Sequence, residues 1–441
     1  MPPVGQGRSD KMLHRCRACF ETRPLILSAA ASGVEGRALL RCYAGGDRSG
    51  GRSGLQAENR LMSIRNSAPA AGVESSAVMF VAIEMSGNRW DVVVHTPVSD
   101  KLSRHTLEAG DGAALLEFIA RIRGAVARRL GAAVRVLSCY EAGYDGFWLD
   151  RLLRQHGIEN HVVDAASIEV NRRARRAKSD RLDGEGLVRT LLRWWRGDRQ
   201  ACHMVRVPSV AEEDAKRPSR ERERLVKERV QHVNRIKGLL ATQGHYGFHP
   251  LRRDREARLA QLTLPDQLRA ELQREFARLA LVVQQIAGLE AARDAVLKRG
   301  VVAADRATTR IRKLFTLKSM GPEFSTGLVC EVFYRDFTNR RQVGSYFGLT
   351  GSPWRSGRLA VEQGISKAGN PRARTLMVEA AWMWLRYQPD SALARWFRER
   401  VGEQKGRMRR IAIVALARKL AVALWHYLEH DILPEGAVTK S

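Results

Sequence analysis

Val78-Met79-Phe80-Val81-Ala82-Ile83-Glu84 is the stretch on which the reading of the fold turns. An unbroken apolar run of that length, closing on an acid, predicts a strand buried on both faces. Working forward, Gly87-Asn88 predicts a turn into a second strand, Trp90 to Thr96, and Leu102 to Leu107 a third, weaker one. Asp111 is a good N-cap for a helix over Ala113 to Leu130. Ala133 to Tyr140 is another apolar strand, again followed by an acid, Glu141. Tyr144 to Gln155 reads as helix, His161 to Val163 as a short strand, and Gly186 to Trp195 as a helical run. This alternation predicts a mixed sheet with helices on its faces. Working backward, residues 1–77 are rich in Gly, Ser, Ala and Arg without sustained periodicity, which predicts a disordered basic extension.

Lys178-Ser179-Asp180-Arg181-Leu182-Asp183 leads into the last of those helices. On a helix Asp180 and Asp183 share a face. Two stacked carboxylates stay ionised together most readily with a cation between them, and hard divalent ions such as Mg²⁺ take oxygen ligands of this kind. Arg172, Arg173, Arg175, Arg176 and Lys178 come just before and could deliver a negatively charged polymer. Taken alone, the pair is an ordinary helix start with Ser179 or Asp180 as cap. Glu84 and Glu141, however, close strands where open sheets place their ligands. Four carboxylates from three distant segments could hold two ions about 4 Å apart, the arrangement that clamps a phosphodiester.

The 441 residues carry a formal charge of +28, with pI ≈ 10.7, which points to a polyanionic partner. The segment before Met79 holds 11 basic and 6 acidic side chains, so the excess is not a tail property. No apolar run spans a bilayer and no secretory signal stands at the N-terminus, so the expectation is no membrane and a cytoplasmic, nucleoid-associated protein. Six scattered cysteines (Cys16, Cys19, Cys42, Cys139, Cys202, Cys330) predict free thiols. His14, Cys16 and Cys19 lack a second ligand pair at zinc-finger spacing.

From Ala211 to Gln243 the pattern is helical and basic, with Val226, Val230, Val233 and Leu240 on one stripe. After a break at Gly244 to Pro250, Leu272, Phe276, Leu279, Val283 and Ile286 repeat at spacings of four and three, predicting a helical hairpin or coiled coil over roughly 211–300. From Ala307 a second helical domain follows, with Met320-Gly321-Pro322 as a turn between helices. Its densest polar segments are Gly348 to Gly357 and Gln363 to Arg372. Glycines and cations around two serines suit a loop that approaches a phosphate backbone closely. Ala373 to Arg386, Ala392 to Val401 and Arg409 to Tyr427 close the chain as helices, with Trp382, Trp384, Trp396 and Trp425 read as core.

Together, Ala82-Ile83-Glu84, Cys139-Tyr140-Glu141-Ala142-Gly143, Lys178 to Asp183, Arg355-Ser356-Gly357 and Gly364-Ile365-Ser366-Lys367-Ala368-Gly369-Asn370 resemble the DEDD transposases of the insertion-sequence 110 family over roughly residues 79–430. The resemblance implies α/β plus α: an RNase H-like (RuvC-like) mixed-sheet domain over 78–205, a coiled-coil helical connector over 206–303, a mainly helical C-terminal transposase domain over 304–432 and a tail at 433–441. It maps the family's Mg²⁺-binding acidic tetrad onto Glu84, Glu141, Asp180 and Asp183, and its catalytic serine onto Ser356, with Ser366 as runner-up. Arg355, Lys367 and Arg372 join the arginine cluster as nucleic-acid contacts. It also implies action on DNA element ends and a DNA target, a structured guide RNA from the element, and a homo-oligomer, dimer or tetramer. This sequence departs from the family in having Glu84 where the name implies aspartate, and Ser319 where a first hairpin glycine is usual. The alternatives are a RuvC-like metal-dependent nuclease without a covalent intermediate, and a nucleic-acid packaging protein motivated by charge alone.

Overall fold

The computed structural model describes residues 77–168, 180–298, 305–356 and 359–440. The expected N-terminal extension up to Ser76, with His14, Cys16, Cys19 and Cys42, lies outside the described residues.

The decisive apolar run is β1 (Ala77–Met85), buried from Met79 to Ile83. β2 (Arg89–Thr96) returns antiparallel to it and β3 (Ser99–Glu108) antiparallel to β2. β3 is longer than its six-residue apolar signal. It is an edge strand, mostly exposed, and charged residues such as Asp100, Lys101 and Arg104 are tolerated there. α1 (Gly112–Leu130) begins where Asp111 Oδ1 accepts from Ala114 N at 2.8 Å. β4 (Val134–Glu141) lies parallel to β1, α2 (Trp148–Gln155) follows, and β5 (Glu159–Val163) lies parallel to β4. α2 starts at Trp148 rather than Tyr144, because a turn with Gly146 at φ 74° intervenes. The strands form a five-stranded mixed sheet of order β3-β2-β1-β4-β5, and α3 (Asp180–Trp195) packs on one of its faces. Strand alternation sends Met79, Val81, Ile83, Val92 and Val136 toward α1 and α2. Phe80, Ala82, Val93, Leu137 and Cys139 go toward Leu187, Val188 and Leu191 of α3. With both faces covered, β1 has no polar phase, which is why its signal is continuous.

α4 (Val210–Asp214) opens on a capping box between Ser209 and Glu212. α5 (Arg217–Ala241), α6 (Arg255–Ala260) and α7 (Asp266–Lys298) follow. Arg222 pairs with Glu290, His232 with Glu275 and Arg235 with Glu271, so α5 and α7 run antiparallel as the expected helical hairpin. The seam buries Leu225, Ile236 and Leu240 against Leu272, Leu279, Val282 and Ile286. Val283, assigned to the seam by the four-three spacing, is 39% exposed and Val282 is 6% exposed. A straight helix of 3.6 residues per turn drifts from a strict 3.5 repeat, and here the drift moves the seam by one residue.

The C-terminal region is mainly helical. α8 (Arg306–Phe315) leads to α9 (Pro322–Leu328), which runs into a π-helical turn, Val329–Phe333. α10 (Arg340–Tyr346), α11 (Pro371–Tyr387), α12 (Ala392–Val401) and α13 (Arg407–His430) enclose a core that includes Phe347, Trp384, Leu416, Leu420 and Trp425. Trp382 and Trp396 pack against it, so all four tryptophans are core as read. The polar segment read as a loop is instead a two-stranded antiparallel hairpin, β6 (Gly351–Ser356) and β7 (Leu359–Ile365). Its glycines and Pro353 conceal the pattern, but a two-stranded sheet has only edges, where proline is allowed. Cys139, Cys202 and Cys330 are buried free thiols. Among the described residues only α13 is long and apolar enough to resemble a membrane span, and half of that window is buried in the C-terminal core.

Candidate active site

Register brings two of the four acids together. Ile83 pairs with Tyr140 across parallel β1 and β4, so Glu84 and Glu141, one step on, end neighbouring strands about 5 Å apart. By alternation both stand on the face that α3 covers. α3 lies close on that face: a Cβ on Gly184 would stand 2.9 Å from Val93 Cγ2, and Val93 pairs with Ala82 of β1. The first turn of α3, with Asp180 and Asp183, is thereby held over the carboxyl end of β1. Glu84, Glu141 and Asp183 are half-buried. The side chain of Asp180 lies outside the described residues, as do Arg172, Arg173, Arg175, Arg176 and Lys178.

A fifth carboxylate in this row escaped the sequence reading. Asp91 of β2 is the antiparallel partner of Glu84 and is only 2% exposed. Arg104 Nη2 donates to its Oδ2 at 2.5 Å and Thr106 Oγ1 to its Oδ1 at 2.9 Å, both from β3. Burial pushes its pKa up, but the hydrogen bonds from Arg104 and Thr106 and the arginine's charge outweigh that and hold it below the ordinary aspartate value. The signal was present: one acid in the run Trp90-Asp91-Val92-Val93-Val94 is a polar residue facing a buried layer.

Carboxylate oxygens are the donors a hard divalent ion takes, and the row supplies them from β1, β4 and α3. Among the described residues no three His, Cys, Asp or Glu side chains gather closely enough to hold an ion by themselves. The donor chemistry thus fits Mg²⁺, while the described side chains do not close the ligand set.

The second group of site residues lies in the C-terminal region, on a different sheet from the acids. Ser356 ends β6, and its side chain lies outside the described residues; Arg355, just before it, is exposed. Across the hairpin, the segment Ser366 to Asn370 is fastened to the end of α10. Ser366 N donates to Thr350 O at 2.8 Å, Lys367 N to Gly348 O at 3.2 Å, and Asn370 N to Tyr346 O at 2.8 Å. Lys367 is exposed, with φ 58°. Asn370 Oδ1 caps α11 by accepting from Arg372 N and Ala373 N. Arg372 is half-buried and already paired with Glu223, with Glu331 3.6 Å away.

Residues 311–396 match the family model described as Transposase IS116/IS110/IS902 family. A protein of Sinorhizobium fredii named as transposase y4rJ is 46% identical over 389 residues, which is 86% of this chain and 98% of its own length. A Pseudomonas aeruginosa protein named as a family 20 transposase is 30% identical over 244 residues, 53% of this chain and 68% of its own. The Coxiella burnetii transposase for insertion sequence element IS1111A is 26% identical over 257 residues, 57% of this chain and 66% of its own.

Proposed function

The chain belongs to the IS116/IS110/IS902 family of insertion-sequence transposases, and from that premise we infer that it cuts and rejoins DNA strands with Ser356 as nucleophile and an acidic site on an RNase H-like domain. The observation that carries this reading is the row at the sheet edge. Glu84 and Glu141 end neighbouring strands, and the turn bearing Asp180 and Asp183 is packed over the same face through Gly184. Acids grouped at a surface meant only to grip nucleic acid would repel phosphate, so a packaging role is disfavoured.

Mg²⁺ held by Glu84, Glu141, Asp180 and Asp183 would polarise a scissile phosphate. Ser356 Oγ attacks phosphorus, a serine–phosphate ester forms, and the departing strand end leaves as a free hydroxyl; rejoining reverses the exchange. Arg355 and Lys367 hold the phosphate charge as it builds. The acids and the serine belong to different sheets, so the reaction requires the two regions, of one subunit or of neighbours in a homo-oligomer, to be brought together on the DNA. A structured RNA from the element as guide, and work on nucleoid DNA in the cytoplasm, are the parts of the reading that the charge of +28 supports.

The test uses purified protein, Mg²⁺, the transcript flanking the gene and a labelled plasmid carrying the element ends. Wild type is expected to yield a protein–DNA adduct stable to denaturant, and Ser356→Ala none. Adducts still formed by Ser356→Ala would refute the serine assignment. Separation of the acids and Ser356 on different sheets favours one competing reading, a RuvC-like nuclease that uses water. It gives nicked DNA with no protein attached, still made by Ser356→Ala and lost in Asp183→Asn.

A further inference from the structure

α13 is half covered by the C-terminal core, and its outer face is left bare. Arg407, Ile411, Ala415 and Arg418 recur at spacings of four, four and three and are all exposed, with Arg410 beside them. Ile411 is 50% exposed and Met408 42%. None of the guanidinium groups of Arg407, Arg410 and Arg418 has an ion pair or hydrogen bond among the described residues, whereas Arg409 stacks on Trp382. The first turn of α13 contains no acid, and arginines there face the positive end of the helix dipole, which repels them.

The stripe also has a direction. From Arg407 to Arg418 it runs about 16 Å along the helix. At its far end, Arg418 Nε and Thr350 Cγ2 flank Gly344, 3.4 Å and 3.5 Å from where its Cβ would stand. Thr350 is the residue before β6, and β6 ends on Ser356. The basic track therefore leads to the foot of the hairpin that carries the proposed nucleophile.

We propose that the outer face of α13 is a track for the sugar–phosphate backbone of duplex DNA, with Arg407, Arg410 and Arg418 as its phosphate contacts, guiding the duplex to the β6–β7 hairpin. Unpaired cations on one helix face complement a polyanion, and the spread of the three arginines over the length of the stripe suits a rigid duplex rather than a single bound phosphate. This deepens the reading of Ser356 above and rests on it for the identity of the DNA as substrate.

The experiment measures binding of full-length protein to a double-stranded DNA oligonucleotide of arbitrary sequence across a salt series, beside an RNA duplex of equal length. Replacing the three residues together (Arg407→Gln, Arg410→Gln, Arg418→Gln) is expected to make the slope of log affinity against log salt shallower by about 2.7, since each phosphate contact contributes about 0.9. The triple lysine replacement keeps the slope, and Tm of the glutamine variant stays level or rises. An unchanged slope overturns the proposal, as does a loss confined to the RNA duplex, or a fall in Tm showing that the fold needs the charges. If wild type makes no adduct while the triple glutamine variant still loses slope, the serine chemistry falls and the α13 surface stands.

Discussion

Asp91 sits beside Glu84 in a position where two carboxylates directly opposite each other on a sheet would destabilise it. Arg104 and Thr106 resolve the conflict by taking both oxygens of Asp91. Asp91→Ala is expected to cost about 2 kcal/mol, the range for charge-assisted hydrogen bonds to a buried carboxylate, reduced because Arg104 is 36% exposed and can turn to solvent. Urea denaturation checks it: an unchanged midpoint would show that Arg104 and Thr106 contribute nothing net.

At the scale of elements, the segment Ser366 to Asn370 depends on two glycines. Gly348 (φ 63°) and Gly369 (φ 129°) adopt backbone conformations that side chains disfavour, and both lie against backbone. A Cβ on Gly369 would stand 2.5 Å from Tyr346 O and 2.7 Å from Ser345 O, neither of which can swing aside as a side chain could. Gly369→Ala should therefore free the segment from the end of α10. The expected cost is about 3 kcal/mol, with strand cleavage lost while the far-ultraviolet circular dichroism is retained. Full cleavage activity in that variant would mean that the seating of the segment is irrelevant to the chemistry. The same backbone packing explains how a glycine-rich stretch that reads as a loop is seated against α10.

Across the whole molecule, Glu331 joins the helical hairpin to the C-terminal region. It is 1% exposed, in the π-helical turn. Arg220 of α5 grips both of its oxygens, Nε to Oε1 at 2.7 Å and Nη2 to Oε2 at 3.0 Å, while Asn370 Nδ2 donates to Oε2 at 3.3 Å. Burial pushes the Glu331 pKa up, but the hydrogen bond and charge of Arg220, with Asn370 and Arg372, prevail and hold it below the ordinary glutamate value. A carboxylate with a depressed folded pKa contributes stability that is fully present above the unfolded value, about 4.3, and is lost as pH falls through the folded value. Glu331→Gln should therefore cost about 2 kcal/mol at pH 7, the loss of charge-assisted hydrogen bonds to a buried carboxylate, reduced because Arg220 is half exposed and can turn to solvent. The difference from wild type should shrink as pH drops below about 4. A penalty that does not vary with pH would mean that shape, not charge, makes the joint.

The sequence by itself determined the strands of the five-stranded sheet, the longer helices and the hairpin of α5 and α7, because burial on one or both faces dictates a period that composition reveals. It also located Glu84, Glu141 and the Asp180–Asp183 turn, since acids that end apolar runs stand out locally. Tertiary structure alone decided that Asp91 shares their row, that Val282 rather than Val283 enters the seam, and that the polar stretch around Ser356 forms a hairpin. It alone also made Glu331 a joint and left one side of α13 bare. Each of these depends on cross-strand register, helix drift or contacts between residues a hundred or more positions apart, and no local pattern of residues records which partner will arrive.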